Sequence, residues 1–478
     1  MREALKRLTG ESVVYGLGQA GGRAVQLLLV PVLTRALTPG AYGVSELIVA
    51  YSQTVLLVLV FGMDGALARF FYQQPDREAR IRMVSTSFAF RLATVGFAAL
   101  LLVGFASPLS RQLVGSDAYR KYLMIGSVTL PFTLLVMFSN DVLRVTFQPW
   151  KFIALNIAQT TLVTGISLFM VLRLDAGVVG VLYGRLLGDG LSSLLGLVLI
   201  RHTLKPRFSR DILRRMLGYG IPALPALVAF GAIQSIDRYV LQRTRSLEEL
   251  AVYAVAMKFF TVVTFAASAF QLAYGPFAYA HAETPGAPRL FARVLSLYVS
   301  IGAFGAMLVG LFAPEALSFL VPVAYRGAAG PAAWLAFAAV ALGAYTVTSI
   351  GIGLALKTSY LGVCAGGAAL VAGVSHWILT PRLGAPGAAV ATFLGYVACS
   401  VLSYVIAQRV YPLPYRGVRL MALFALAAAA TFSIQRWSPV GPGGWAVKLG
   451  AALGFALLCG WIEFSRSRQP ATAGESGS

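Results

Sequence analysis

Residues 13–26 read VVYGLGQAGGRAVQ, and two structures compete for them. Read as a strand and a turn, Gly16, Gly18 and Gly21 give G-x-G-x-x-G, the spacing of a dinucleotide-binding loop. Such a loop needs an acidic residue about 20 positions on, to hold the ribose. No Asp or Glu occurs between Val13 and Ser45. The apolar run also outlasts a strand, because VQLLLVPVL carries it on to Thr34. The stretch therefore predicts a membrane-spanning helix over residues 12–36. Its glycines serve helix packing, with Gly18 and Gly22 at small-xxx-small spacing. At 100° per residue, Gly16, Gln19, Arg23 and Gln26 fall on one stripe of that helix.

The rest of the chain has the same character. Of its 478 residues, 58% are hydrophobic and 12% charged, against about 25% charged in soluble domains. The mean hydropathy is +0.75. Apolar runs of roughly 20 residues, enough to cross a bilayer, recur throughout. The expected fold is an all-α polytopic membrane protein with about fourteen spans: 12–36, 41–63, 84–106, 120–144, 151–173, 177–200, 217–240, 249–272, 291–312, 331–356, 359–380, 385–408, 417–434 and 442–463. The charged leader MREALKRLTG could open a signal peptide. The run after it is too long and contains Gln and Arg, so a retained first helix is expected. Residues 465–478, SRSRQPATAGESGS, have no apolar content and are expected to be disordered. Cys364, Cys399 and Cys459 all lie in apolar runs and suggest buried hydrophobes rather than a disulfide framework.

Charge sets the expected orientation. With the N-terminus inside, 23 of the 39 Lys and Arg fall on cytoplasmic flanks and 11 on outer ones, leaving Arg23, Arg91, Arg185, Lys258 and Lys448 within spans. The excess inside predicts a multi-pass protein with both termini cytoplasmic. The basic stretch Arg201 to Arg215 becomes a cytoplasmic connection. The formal net charge of +21 follows from this topology and from anionic headgroups, so no nucleic-acid partner is expected.

The two halves repeat. Gly177, Gly180 and Gly188 of the sixth span match Gly384, Gly387 and Gly395 of the twelfth, 207 residues on. Tyr15-Gly16 matches Tyr219-Gly220, and Tyr42 matches Tyr253. Six spans per repeat leave both halves pointing the same way, related by a pseudo-twofold axis along the membrane normal. The expected domains are an N-lobe (1–200), a basic cytoplasmic connection (201–216), a C-lobe (217–408), two appended spans (409–464) and the tail.

Polar groups inside a bilayer are unfavourable and call for water or partners. On the second span Tyr42, Glu46 and Gln53 share a side, with Asp64 five turns from Glu46, and Glu46 is a candidate counter-ion for Arg23 or Arg35. On the seventh, Gln234, Asp237 and Arg238 cluster near the outer end. On the eighth, Tyr253 and Gln271 share a face and Lys258 lies on another. Arg144, Lys357 and Asp141, near span ends, and Arg185 with Asp189, at i,i+4, read more simply as packing or snorkelling charges. No G-x-x-x-x-G-K-[ST] loop occurs, and His202, His281 and His376 are dispersed, so neither ATP hydrolysis nor a metal is expected and no cofactor is predicted. A basic cavity suits an anionic passenger such as a diphosphate.

Three stretches carry a family resemblance: LLLVPVLTRALTPGAYGVSELIVAY with FGMDGALARFF, then LGYGIPALPALVAFGAIQSIDRYVLQRTRSLEELAVYAVAMKF, then GLALKTSYLGVCAGGAALVAGVSHWILTPRLGAPGAAVATFLGY. In combination and order they resemble the Wzx-type oligosaccharide flippases, polysaccharide biosynthesis proteins of the multidrug/oligosaccharidyl-lipid/polysaccharide exporter superfamily. This chain has Ser375 and His376 where relatives often carry Asn. The resemblance implies a cavity between spans one, two, seven and eight, and transfer of an undecaprenyl-diphosphate-linked oligosaccharide to the periplasmic leaflet. A non-enzymatic transporter is expected, with the lipid-linked oligosaccharide and the bilayer as partners and a polymerase and glycosyltransferases as neighbours. On that reading Arg23 attracts the diphosphate, and Gln19, Gln26, Gln53 and Gln234, with Lys258, complete the substrate site. Glu46, Asp64 or Asp237 would couple to an ion. Three rivals are weighed. A drug antiporter of the superfamily would want an acidic cavity, a glycan polymerase or ligase would need a large outer loop, and a lipid II flippase is nearest in function.

Overall fold

The computed structural model describes residues 29–467 except 283, 285, 356, 358 and 438–441. The predicted stripe of Gln19, Arg23 and Gln26 and the tail beyond 467 therefore lie outside the described residues. In chain order the helices are α1 (described over 29–36), α2 (Pro39–Leu59), α3 (Met63–Phe70), α4 (Arg77–Gly104), α5 (Ala106–Val114), α6 (Arg120–Val145), α7 (Pro149–Arg173) and α8 (Gly177–Ile200). They continue with α9 (Arg210–Thr244), α10 (Leu247–His281), α11 (Ala287–Leu320), α12 (Ala329–Leu354), α13 (Ser359–Leu383), α14 (Ala385–Val410), α15 (Gly417–Trp437) and α16 (Pro442–Ser467). Among the described residues there is no strand. Twelve segments among them are long and apolar enough to cross a membrane. Together with the 35-residue α10, they coincide with expected spans two to fourteen.

Local chemistry sets the helix ends. Thr38, Asp76, Ser209 and Ser246 each cap a helix by accepting a backbone N–H, and Pro occupies the first turn of α2, α7, α11 and α14, where its missing N–H is harmless. Pro131, Pro222, Pro225, Pro314 and Pro381 lie inside helices, a tolerance typical of membrane spans.

Packing repeats along with sequence. In the first half α4 lies on α6, α6 on α8, α7 on α8, and α2 on both α6 and α8. In the second half α11 lies on α12, α12 on α14, α13 on α14, and α10 on both α12 and α14, the same scheme shifted by one repeat. The matched glycines do matched work. Gly177 and Gly384 both take positive φ, 53° and 64°, in the turns that open α8 and α14. A Cβ on Gly188 would meet Val163 of α7, and one on Gly395 would meet Ala372 of α13, so each pair of helices meets at bare backbone.

Buried charges are paired inside each half. Arg91 of α4, 1% exposed, donates to Asp141 of α6 at 2.9 Å, and Arg144 reaches the other carboxylate oxygen at 2.5 Å. Asp189 of α8 accepts from Thr133 Oγ1 at 2.6 Å and Gln159 Nε2 at 2.8 Å, with Arg185 at 3.8 Å, so it ties α6, α7 and α8 together. These are the packing roles expected of Asp141, Arg144, Arg185 and Asp189. Lys448 of α16, also 1% exposed, pairs with Glu315 of α11 at 2.5 Å and fastens the appended helices to the second half.

Candidate functional site

The halves meet where α2 and α3 face α9 and α10. At one end the contact is polar and aromatic. Glu46 Oε1 of α2 accepts from Lys258 Nζ of α10 at 2.8 Å. Tyr42, one turn earlier, meets Tyr325 edge-on, with ring centroids 6.1 Å apart. Gly43 lies against the backbone of Leu247, and Arg35 donates to the carbonyl of Phe319 at 3.1 Å. Among the described residues Lys258 is the counter-ion of Glu46; of the two expected, Arg35 is engaged with a backbone oxygen and Arg23 lies outside the described residues. Sequence periodicity placed Lys258 off the Tyr253 face of α10, and that other face turns out to be the one opposite α2.

Behind Glu46 and Lys258 a buried polar chain runs through the second half. Asp237 of α9 accepts from Arg238 Nη1 at 3.0 Å and from Tyr253 Oη of α10 at 2.6 Å. The Tyr253 hydroxyl lies 3.0 Å from Thr392 Oγ1 of α14, which lies 3.4 Å from His376 Nε2 of α13. His376 Nδ1 in turn lies 3.2 Å from Thr380 Oγ1. Asp237, Tyr253, Thr392, His376 and Thr380 are all at most 2% exposed. Polar groups this deep persist only when bonded to one another. The predicted cluster of Gln234, Asp237 and Arg238 is present, with Arg238 also donating to the Gln234 carbonyl at 2.7 Å. Sequence reasoning did not find Thr392 and Thr380, because a lone threonine in an apolar helix carries no signal of its partner. The Ser375-His376 departure was the available hint.

At the other end of the interface the halves touch through backbone. The chain breaks between α2 and α3 at Phe61 and Gly62, both in the left-handed region with φ of 53° and 63°. For a bulky aromatic residue this conformation costs about 1–2 kcal/mol. It brings the Phe61 carbonyl and Gly62 onto Gly220 of α9, where neither glycine has room for a Cβ. Arg69 of α3 sits 4.9 Å from the centre of the Tyr219 ring, and Phe70 packs edge-on to it. This is the basic end, where Glu78 of α4 pairs with Lys205 and Arg207 of the connection before α9.

Between these closures Gln53 and Gln234 stand exposed on α2 and α9, each about one turn from the point where Leu57 fills the bare face of Gly231. Asp64 is exposed in the first turn of α3, beyond the Phe61–Gly62 break and remote from Glu46. The interface thus brings together Glu46, Lys258, Asp237 and the two glutamines, and leaves Asp64 apart.

The fold has known counterparts. A lipid II flippase MurJ in an inward closed conformation superposes with a TM-score of 0.74 at 15% identity, covering 96% of this chain and all of that one. An outward-facing multidrug resistance MATE family transporter of the MOP superfamily gives 0.61 at 16% identity, covering 87% and 96%. In sequence, the chain is 26% identical over 278 residues to Lsg locus putative protein 1 of Haemophilus influenzae, an alignment covering 56% of this chain and 65% of that protein, under two thirds of its length. The polysaccharide biosynthesis protein family model matches residues 32–319, more than half of the chain. This multi-pass helical membrane protein belongs to the polysaccharide biosynthesis protein family.

Proposed function

We propose that the chain is a flippase that carries an undecaprenyl-diphosphate-linked oligosaccharide from the cytoplasmic to the periplasmic leaflet by rocking its two halves. The carrying observation is an interface closed at both ends around α2, α9 and α10, with the Glu46–Lys258 ion pair at one closure and exposed amides between. Family membership supports a glycan as the passenger.

Lys258 is the exchangeable element of this reading. It is 29% exposed and bound to one carboxylate, so a diphosphate entering the path offers it a stronger anionic partner and releases Glu46. Gln53 and Gln234 supply donors and acceptors for sugar hydroxyls. Arg23, outside the described residues, adds a second cation by its place on the first span. Asp237 with His376 forms the coupling element. A proton on Asp237 removes the charge that holds Arg238, and Tyr253 and Thr392 connect that carboxylate to the His376 imidazole. Both termini are cytoplasmic in this reading, which puts the basic end in the bacterial cytoplasm.

The test is complementation. In a strain lacking its own exporter of this class, the chain restores surface polysaccharide and Lys258→Met or Arg23→Ala does not, at equal abundance in the membrane. Full polysaccharide from Lys258→Met removes that lysine from the mechanism. A second reading, a lipid II flippase, draws on the 0.74 superposition. It is distinguished by whether the chain sustains growth when the resident lipid II flippase is depleted.

A further inference from the structure

The structure assigns a phosphoryl-binding pocket to the basic end of the first half, separate from the path between the halves. A cavity of about 390 Å³ opens between the start of α4, the α6–α7 turn and the residues that follow α8. Its cationic and polar lining is Arg77, Arg80, His202, Gln148, Thr146 and Thr203, and no acidic residue lines it. The carboxylates nearest in sequence are already engaged: Asp76 caps α4 through Ala79 N, Glu78 pairs with Lys205 and Arg207, and Asp141 holds Arg91 and Arg144.

Three features point to an anion. The Arg80 Nε is buried without a hydrogen-bond partner among the described residues, while its guanidinium rests 5.5 Å from the Phe71 ring centre. A buried donor left unbonded costs about 1–3 kcal/mol, which an anion in the cavity would recover. His202 Nε2 accepts from Arg201 Nε at 3.2 Å, so the neutral ring carries its proton on Nδ1, a further donor. The turn that forms one wall is strained. Phe147, at φ 53°, closes α6 in a conformation that favours glycine, with Gln148 N bonded to the Leu143 carbonyl at 2.9 Å. Its ring gains contact with that of Tyr72, another lining residue, 5.9 Å away, and Tyr72 Oη is itself fixed on the Val145 carbonyl at 2.6 Å. Non-glycine strain of this kind persists where the surroundings hold it, commonly at binding sites.

The ligand chemistry is a phosphate mono- or diester, from a lipid headgroup at the membrane surface or from a soluble phosphate. Either source would join α4 to His202 and Thr203, the first residues of the connection between the halves, whose later part already docks on α4 through Ser85 and Thr86.

The experiment uses the purified full-length protein in phosphatidylcholine nanodiscs, with and without phosphatidylglycerol, and titrates inorganic phosphate in the absence of phosphatidylglycerol. Native mass spectrometry counts retained phosphatidylglycerol, and ³¹P line broadening reads phosphate. Wild type is expected to hold one phosphoryl ligand more tightly than Arg77→Gln and Arg80→Gln, by roughly tenfold or more, the loss of a hydrogen bond to a charged group. Arg289→Gln, in the first turn of α11, is expected to match wild type. Retention of phosphatidylglycerol alone identifies a lipid headgroup, and saturable phosphate binding identifies a soluble source. Equal binding by wild type and Arg77→Gln, or binding of neither probe, overturns the assignment. Arg77 is exposed and makes no ion pair among the described residues, so its variant remains informative if Arg80→Gln fails to fold.

Discussion

The two ends of the interface between the halves are closed by different physics. At one, Lys258 and Glu46 meet as a partly exposed ion pair beside the Tyr42–Tyr325 contact. At the other, Gly62 and the Phe61 carbonyl lie directly on Gly220, with no side chain between. An ion pair can be exchanged for another anion at little net change in energy, because its strength depends on the partner available. A backbone contact offers no such exchange and depends only on shape. The first end is suited to sensing a charged passenger, the second to a tight closure governed by sterics.

The largest expected effect follows from the steric end. Gly220→Val places a side chain where the Phe61 carbonyl stands, and overpacking of about 1–3 kcal/mol shifts the closed state against the open one by roughly tenfold to a hundredfold. Gln53→Cys, in a background without the native cysteines, is then expected to label faster with a membrane-impermeant maleimide added to inside-out membrane vesicles. An unchanged labelling rate breaks the comparison at that end.

Next comes the ionic end. Lys258→Met leaves Glu46 without its partner and is expected to reduce polysaccharide export by about tenfold or more, in line with loss of a hydrogen bond to a charged group. The exchange Glu46→Lys with Lys258→Glu keeps an ion pair but moves the cation to α2. If pairing alone matters the exchange restores export, and if Lys258 must meet the diphosphate from α10 it does not.

A smaller effect is expected from the buried chain. Asp237→Asn keeps the Tyr253 bond and removes the charge that holds Arg238, so export is expected to persist at a reduced rate that no longer depends on the proton gradient, measured with and without a protonophore. Gradient-dependent export at the wild-type level would exclude Asp237 from coupling. The smallest effect belongs to Arg144, whose side chain is 55% exposed. Arg144→Gln is expected to change stability by less than about 1 kcal/mol and leave export intact, checked by melting temperature and surface polysaccharide.

The fold was legible in the sequence because a bilayer imposes one length and one composition on every crossing, so apolar runs and their breaks locate spans from 41–63 onward. The repeat was legible because Gly177 and Gly384 do work that only glycine does without strain, and the same residue recurs at the same place. The site was legible only in part. Periodicity assigns Glu46 and Lys258 to faces of their own helices, but nothing local to α2 identifies a partner 212 positions away, and Arg35 looked equally suitable. Asp237 stood out as a charge in an apolar run, whereas Thr392 and Thr380 needed the fold before their roles appeared. The strained break at Phe61 carried no sequence signal, because the residue that takes positive φ there is one that rarely does.

The central claim is that the two closures open alternately. Spin labels on exposed positions Ala36 and Arg243 report the ionic end, and labels at Gln73 and Arg215 report the basic end. Double electron–electron resonance on the protein in nanodiscs, with and without an undecaprenyl-diphosphate-linked glycan, measures both distances. Alternating access predicts opposite responses, one distance lengthening in the population where the other stays short. Distances that both remain fixed, or that lengthen together, would contradict it.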